Sequence, residues 1–379
     1  MGSWQPLVGP SRQVALAILL DGPLSRAELS RRVGLSPGSL TRLTKPMVES
    51  GLLVEVPTEI ADARVGRPSQ PLDLDPAAHY FVGIKLTGDR AIGVLTTLRA
   101  EVIASLERPL TDHAPSAVAD VVLELADDLA AQSPRPITGL GVTVGGRVTD
   151  RNEVRWGPYL EWVDVPFGEL LAAGTSTPIV LANDLDALTE ATHWFGAGRG
   201  ADRFVLLTIG AGVGYGLVVH NRTVESPDTS LGLIGHHPLL AHDGPTCERG
   251  HRDCALSLLT VGSITSRVGA ALGRPVDYEE CLDLALKGDP AAHSVVSEAG
   301  FGLGKMIAAA SNFTMPELVV LGGEGVRLAE VARTSLLAGL HADRHPSGAE
   351  LPMILQPADF TEWARGGAVI AIQTFVLGN

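Results

Sequence analysis

Three sets of residues carry groups that could do chemistry. The first lies near the N-terminus, where Ser36, Ser39, Thr41, Arg42 and Lys45 share one short segment. Two arginines follow in the constrained stretch Arg64-Val-Gly-Arg67-Pro. Hydroxyl, guanidinium and ammonium groups at this density donate to phosphate oxygens and base edges, which is the chemistry of a nucleic-acid contact. The second set is glycine: Gly145-Gly146, Gly210-Ala-Gly-Val-Gly-Tyr-Gly216 and Gly322-Gly323, each placed straight after an apolar run. Glycine there lets the backbone approach a phosphate or sugar closely, although a Gly-x-Gly spacing alone is a weak signal. The third set is the cysteines, Cys247, Cys254 and Cys281. An odd number in a large chain without a secretory leader points to metal ligation or burial rather than a disulfide framework.

The elements that must position these groups are bounded by bulk properties. With 379 residues, 45% hydrophobic and 19% charged, the chain suits two or three folded units. Its longest early apolar run, Val14 to Leu20, ends at Asp21 and is too short to cross a bilayer. No membrane association and a cytoplasmic location are therefore expected. The formal net charge of −14 is unevenly spread: residues 1–70 hold eight Lys/Arg against six Asp/Glu, a balance of +2, which leaves −16 for the rest. An acidic body repels DNA, so any phosphate contact belongs to the head.

Within the head, a run of helix formers from Gln13 to Leu20 ends at Asp21-Gly22-Pro23. Ser25 followed by Glu28 fits a capping box, and that second helix should stop at Gly34. Ser36 then caps a third helix with Pro37 in its first turn. Two short helices around a glycine turn make a helix-turn-helix whose second member would enter the major groove, although a plain helical hairpin has the same pattern. Pro46 should end or kink this helix near Thr44. Strand-like residues 51–56 and 71–74 flank the arginine stretch and read as a wing, whose tip arginines suit a narrow minor groove.

Beyond residue 80, short β runs alternate with helix-like segments: Phe81 to Leu86, Ile92 to Thr96, Gly139 to Val144, Ile179 to Leu181, Phe204 to Ile209 and Leu318 to Leu321. This is an α/β pattern, in which ligands gather at strand ends.

Together these features resemble the ROK family, which joins repressors, open reading frames and kinases. The carriers are the winged head with Gly66-Arg67-Pro68, Gly145-Gly146, Asn183-Asp184, Phe195-Gly-Ala-Gly-Arg-Gly200, the Gly210 to Gly216 stretch, Ile234-Gly235-His236, and Pro316 to Gly323. The resemblance covers nearly the whole chain. It implies a two-lobed, actin- or hexokinase-like α/β body around a cleft, behind an N-terminal winged helix-turn-helix. The expected domains are residues 1–76 for the head, 77–182 for the small lobe, completed by a C-terminal helix over about 362–379, and 183–361 for the large lobe.

The resemblance also locates departures. Active members begin the body with an Asp-x-Gly-x-Thr phosphate loop, but here the stretch is Lys85-Leu-Thr-Gly-Asp89, with a cation in place of the metal-binding carboxylate. Ala211 replaces a usual threonine, Leu233 a sugar-binding glutamate and Tyr159 a sugar-contacting asparagine. Asn183-Asp184 matches the sugar-binding pair whose aspartate is the general base of active relatives, although both residues are also good helix caps. The relatives' zinc motif survives as His236, Cys247 and Cys254, with Arg249 at its middle cysteine and His251 able to serve as a fourth ligand. Cys281 reads as core.

The resulting expectation is a sequence-specific DNA-binding transcriptional regulator, a repressor of carbohydrate-related genes, with a catalytically inactive kinase-like domain for effector binding and dimerisation. The competing reading is an ATP-dependent sugar kinase carrying a regulatory head. DNA contacts are assigned to Ser36, Ser39, Thr41, Arg42, Lys45, Arg64 and Arg67. Effector contacts are assigned to Gly145, Gly146, Asn183, Asp184 and His236, and zinc to His236, Cys247, Cys254 and His251. Operator DNA, a sugar-type effector and a homodimer or homotetramer are the expected partners, without ATP or magnesium.

Overall fold

A computed structural model describes residues 5–57, 70–226, 228–240 and 244–378. Arg64, Arg67 and the rest of the expected wing tip lie outside the described residues.

The head opens with helices α1 (Gly9–Asp21), α2 (Arg26–Val33) and α3 (Pro37–Glu49). Local chemistry sets their ends. Ser25 Oγ accepts from the Glu28 N–H at 3.2 Å, and the Glu28 carboxylate accepts from the Ser25 N–H at 2.9 Å. Donation to the Glu28 carboxylate from the Ser25 hydroxyl at 2.8 Å, and then from the Ser25 N–H, holds that carboxyl below its usual range. Gly34 closes α2 in the left-handed region at φ 65°, and Ser36 caps α3 by accepting from the Ser39 N–H at 3.2 Å.

Of the two outcomes expected at Pro46, an end or a kink, the helix does not end, since α3 continues to Glu49. Its ring lies on the exposed side, where water can serve the carbonyl that loses its partner, while Leu40, Thr44 and Met47 keep the opposite side buried. Strands β1 (Leu53–Glu55) and β2 (Leu72–Leu74) then pair antiparallel, with Leu53 opposite Leu74.

The body begins with β3 (Tyr80–Leu86), β4 (Arg90–Thr97), β5 (Val102–Pro109), helix α4 (Pro115–Ala130) and β6 (Gly139–Val144). A small antiparallel sheet follows from β7 (Arg147–Thr149), β8 (Glu153–Gly157) and β9 (Trp162–Val165). Next come α5 (Phe167–Gly174), β10 (Ile179–Asn183) and α6 (Asp184–Phe195). The main sheet has the order β10-β6-β3-β4-β5, with β10, β6 and β3 mutually parallel. The C-terminal helix Thr361–Phe375 lies against this sheet so closely that a methyl group on Gly141 would overlap the Gly367 carbonyl.

The second unit contains β11 (Arg203–Ile209), β12 (Val213–Val219), β13 (Arg222–Thr223), α7 (Ala255–Leu259), α8 (Val261–Leu272), α9 (Tyr278–Leu286) and α10 (Pro290–Thr314). It is completed by β14 (Leu318–Gly322), α11 (Leu328–Val331), α12 (Arg333–Asp343) and β15 (Met353–Leu355), in a sheet ordered β13-β12-β11-β14-β15. The stretch from Gly210 to Gly216 is a tight turn followed by a strand, since β12 folds straight back on β11 from Ile209 opposite Val213. Cys281 is buried in α9, where desolvation pushes its thiol up to about 11.

The chain divides into two units, residues 1–195 with 361–379 and residues 196–360. This differs from the expected break at 182/183, because Ala187, Ala191 and Trp194 of α6 share a core with Val369 and Ile372 of the C-terminal helix. The head is not a separate unit either. Val14 and Ile18 of α1 belong to that same core, as do Phe81 and Leu98. Arg99, on the β4–β5 turn, donates to the Leu19 carbonyl at 3.1 Å and forms an ion pair with Asp73 of β2. Among the described residues, no helix is long and apolar enough to cross a membrane.

Candidate functional site

The first candidate surface is α3. Ser36, Thr41, Arg42 and Lys45 are exposed, and Ser39 is partly so. Two of these hydroxyls already have local partners: Ser36 binds the Ser39 hydroxyl at 3.0 Å, and Thr41 returns a bond to the Pro37 carbonyl at 2.9 Å. Lys45 makes an exposed contact with Glu49 at 3.8 Å, which costs little to exchange for a phosphate.

The second site gathers at the ends of β3, β6 and β10. Lys85 Nζ forms an ion pair with Asp184 Oδ2, and only 6% and 13% of the two side chains is exposed. The ammonium also lies 5.3 Å from the centre of the Trp363 ring, within range of a cation–π attraction. The other carboxylate oxygen, Oδ1, accepts from the Leu185 N–H at 2.8 Å. Asn183 is likewise committed: its carbonyl oxygen accepts from the Leu185 and Asp186 N–H groups at 2.9 and 3.0 Å, and its amide donates to the Gly146 carbonyl at 2.7 Å. Both the helix-cap reading and the placement beside Gly146 therefore describe Asn183. The Tyr159 ring lies against Gly145, leaving no room there for a side chain.

The third site is a thiol–imidazole cluster in the second unit. Ligand atoms of His236, Cys247 and Cys254 lie within 4.8 Å of one another. Cys247 Sγ is 3.7 Å from Nδ1 of both His236 and His251, and the two imidazole nitrogens are 3.1 Å apart. The two sulfur–nitrogen separations fit the edges of about 3.3–3.8 Å expected for nitrogen and sulfur around a tetrahedral zinc, and the nitrogen pair is closer than that by about 0.2 Å. Burial opposes ionisation of Cys247, but bonds from the Arg249 and His251 amides and from Cys254 outweigh it and hold the thiol below its usual range. At His236, burial and then the neighbouring His251 and Arg249 hold the imidazole down, which keeps a nitrogen lone pair available. His236 turns Nδ1 toward Cys247 and His251 in this cluster. Leu233 is 64% exposed, without a polar group to offer.

Three participants escaped the sequence reading: Trp363, Arg99 and Glu324, whose carboxylate accepts from the Ala211 N–H at 2.6 Å. For Glu324 the signal was present, a lone charge inside Gly322-Gly-Glu-Gly325. Trp363 and Arg99 carry no local signal.

Comparison with known proteins accords with this organisation. The ROK family model matches residues 81–338, and a winged helix-turn-helix DNA-binding model matches residues 16–54. The DNA-binding transcriptional repressor Mlc of Escherichia coli is 26% identical over 326 residues, covering 82% of this chain and 79% of Mlc. A glucokinase of Thermotoga maritima is 30% identical over 229 residues, covering 56% of this chain and 70% of that enzyme. The crystal structure of a ROK family transcriptional regulator, a homolog of the E. coli MLC protein, has a TM-score of 0.81 at 24% identity and covers 98% of each chain. With the family model spanning most of the chain and both body sheets in place, this chain belongs to the ROK family.

Proposed function

We propose that the protein is a sequence-specific DNA-binding transcriptional regulator, a repressor of carbohydrate-related genes, whose kinase-like body senses an effector without catalysing phosphoryl transfer. The observation that carries this reading is the capped α3, which presents Thr41, Arg42 and Lys45 to solvent above a buried face. The likeness to Mlc extends over both head and body, whereas the likeness to glucokinase covers 56% of the chain. The Lys85–Asp184 pair supports a regulator over a kinase, because it engages the carboxylate that would act as base. A sugar or sugar derivative at Gly145, Gly146 and Asp184, a homodimer or homotetramer, and a cytoplasmic location complete the proposal. A two-fold assembly suits half-sites about one DNA turn apart.

Duplexes selected from a random pool by the full-length protein test this function. Binding should be sequence-selective, and log affinity should fall with log salt by roughly 0.9 for each phosphate contacted. Arg42→Ala should weaken binding about tenfold or more and relax discrimination, as loss of a base-edge contact does. Lys45→Ala should reduce the salt slope by about 0.9, as loss of one phosphate contact does. A pool that shows no enrichment, or a double variant that binds as tightly as the parent, sinks the assignment.

The cluster of His236, Cys247, Cys254 and His251 would hold one structural zinc, which fixes the loop that carries these residues. Metal analysis of protein purified without chelator should find one zinc per chain, and Cys247→Ser should lose it and lower the melting temperature. Zinc retained at unchanged affinity in Cys247→Ser would show the ligand set to be wrong.

A further inference from the structure

One side chain of the body grips two elements of the head. Arg99 sits on the β4–β5 turn, which is fixed locally: the Thr97 hydroxyl accepts from the Arg99 N–H at 3.2 Å, and the Ala100 N–H donates to the Thr97 carbonyl at 3.0 Å. From there Arg99 Nη1 donates to the Leu19 carbonyl at 3.1 Å, in the last turn of α1, and Nη2 pairs with Asp73 in the middle of β2. The Leu19 carbonyl needs this donor. Four residues on, where the intrahelical N–H would stand, the chain has Pro23, and α1 has no basic residue in its own last turn. A guanidinium at this point satisfies the carbonyl and complements the negative end of the helix.

The other contacts between head and body do less to set an angle. The Leu7 N–H donates to the Val376 carbonyl at 2.8 Å and the Leu98 N–H to the Pro76 carbonyl at 3.0 Å, tethers placed just before α1 and just after β2. Val14, Ile18, Phe81 and Leu98 share a buried core, and apolar burial is non-directional. Charge-assisted bonds from one planar group to two separate elements do have direction. With 18% of the Arg99 side chain and 21% of Asp73 exposed, the pair is also better sheltered from screening than a surface pair. Leu40 and Met47 of α3 belong to the same core, so an angle imposed on α1 and β2 carries through to the side that bears Arg42 and Lys45.

We propose that Arg99 is a positioning residue that sets the angle of α3 on the body, and thereby the spacing of the two DNA half-sites that a two-fold assembly of this chain accepts. The proposal rests on the reading of α3 as the DNA-contacting helix and of the assembly as two-fold. Arg99 acts through α1 and β2 and not on the DNA. Each added base pair carries a half-site about 3.4 Å along the duplex and turns it by about 35°, a displacement that heads held at a fixed angle do not follow.

Fluorescence anisotropy with the full-length protein tests it. The probes are duplexes bearing two copies of the half-site recovered by selection, with their spacing varied one base pair at a time through a helical turn, and a duplex with a single half-site. The wild type should favour its best spacing over those about 5 base pairs away by about tenfold or more, because simultaneous engagement is lost when geometry forbids it. Arg99→Ala should flatten this preference to about threefold or less, while affinity for the single half-site stays within about twofold. Arg99→Lys, whose ammonium lacks the planar fork, should fall between. Asp73→Asn keeps an acceptor and removes the charge; it should flatten the profile less than Arg99→Ala and add nothing to it in the double variant. Melting temperatures serve as the fold control, and if Arg99→Ala does not fold, the lysine and asparagine variants carry the test. An unchanged spacing profile in the folded variants, equal losses on single and paired half-sites, or a wild type indifferent to spacing overturns the proposal. A wild type that selects no sequence would instead overturn the DNA-binding reading, so the two failures are separable.

Discussion

Asp184→Ala should destabilise the N-terminal unit by about 3–5 kcal/mol, the cost of leaving a buried charge without its partner. Lys85 is 4% exposed and holds its ammonium against Asp184, with Trp363 as its other close neighbour. A ring face offsets part of the lost attraction, on the order of 2 kcal/mol for a desolvated cation. Asp184→Asn keeps an acceptor for the Leu185 N–H, so it isolates the charge from the helix cap. Lys85→Met should cost less than Asp184→Ala, because the remaining carboxylate is 13% exposed and retains its bond from Leu185. Combining Lys85→Met with Asp184→Leu should recover most of the loss, since an apolar pair of similar volume often replaces a buried ion pair without penalty. Urea denaturation of the wild type and these four variants at neutral pH, with Asp184→Leu added to close the cycle, measures the differences. A shift below about 1 kcal/mol for Asp184→Ala, the size typical of exposed pairs, would show that the pair is solvated and not structural.

The same pair shows where the sequence could be read and where it could not. Helix ends in the head were legible because their determinants are within three residues: Ser25 with Glu28, Gly34, and Ser36 with Pro37. Strands β3, β6, β11 and β14 were legible as apolar runs, being buried on both faces. Strand β12 was hidden by its own glycines, which looked like loop, and β5 by its position at a sheet edge, where burial is partial throughout. Pro46 did not stop the helix, because the local rule counts the lost bond and ignores the buried side of the helix that holds it together.

The site was legible one residue at a time and not as an arrangement. Lys85 and Asp184 each stood out singly in the sequence, but 99 positions separate them. Their meeting depends on the strand order β10-β6-β3, with Lys85 opposite Thr143 and Asn183 opposite Val144, so that a long side chain at the end of β3 reaches past β6 to the start of α6. The thiol–imidazole cluster was easier, since three of its four members fall within eight residues of chain. The lobe boundary was misplaced for a related reason. What binds α6 to the N-terminal unit is the C-terminal helix, which arrives only at Thr361.

The remaining large effect is catalytic: with magnesium, ATP and a broad panel of hexoses and hexosamines, the wild type should show no sugar-dependent phosphoryl transfer. Ordinary enzymes turn over about 1–1,000 times per second, so the expected difference from a working kinase is many orders of magnitude. A general base supplies typically about 100- to 10,000-fold, and only if its lone pair faces the hydroxyl it must deprotonate. Here one Asp184 oxygen is taken by Lys85 and the other by the Leu185 N–H. On the proposed reading of Lys85 as standing where a metal-binding carboxylate is needed, the phosphate side fares no better, since transfer needs metal and donors around the migrating group and Glu324 occupies the Ala211 amide. Lys85→Asp alone should therefore remain inactive, because it frees Asp184 but leaves Glu324, Leu233 and Tyr159 as they are. Turnover of even about 1 per second by the wild type that vanishes in Asp184→Asn would establish a kinase with a regulatory head. Activity appearing in Lys85→Asp would make the missing metal-site carboxylate the one decisive lesion, and continued silence distributes the loss among both sites.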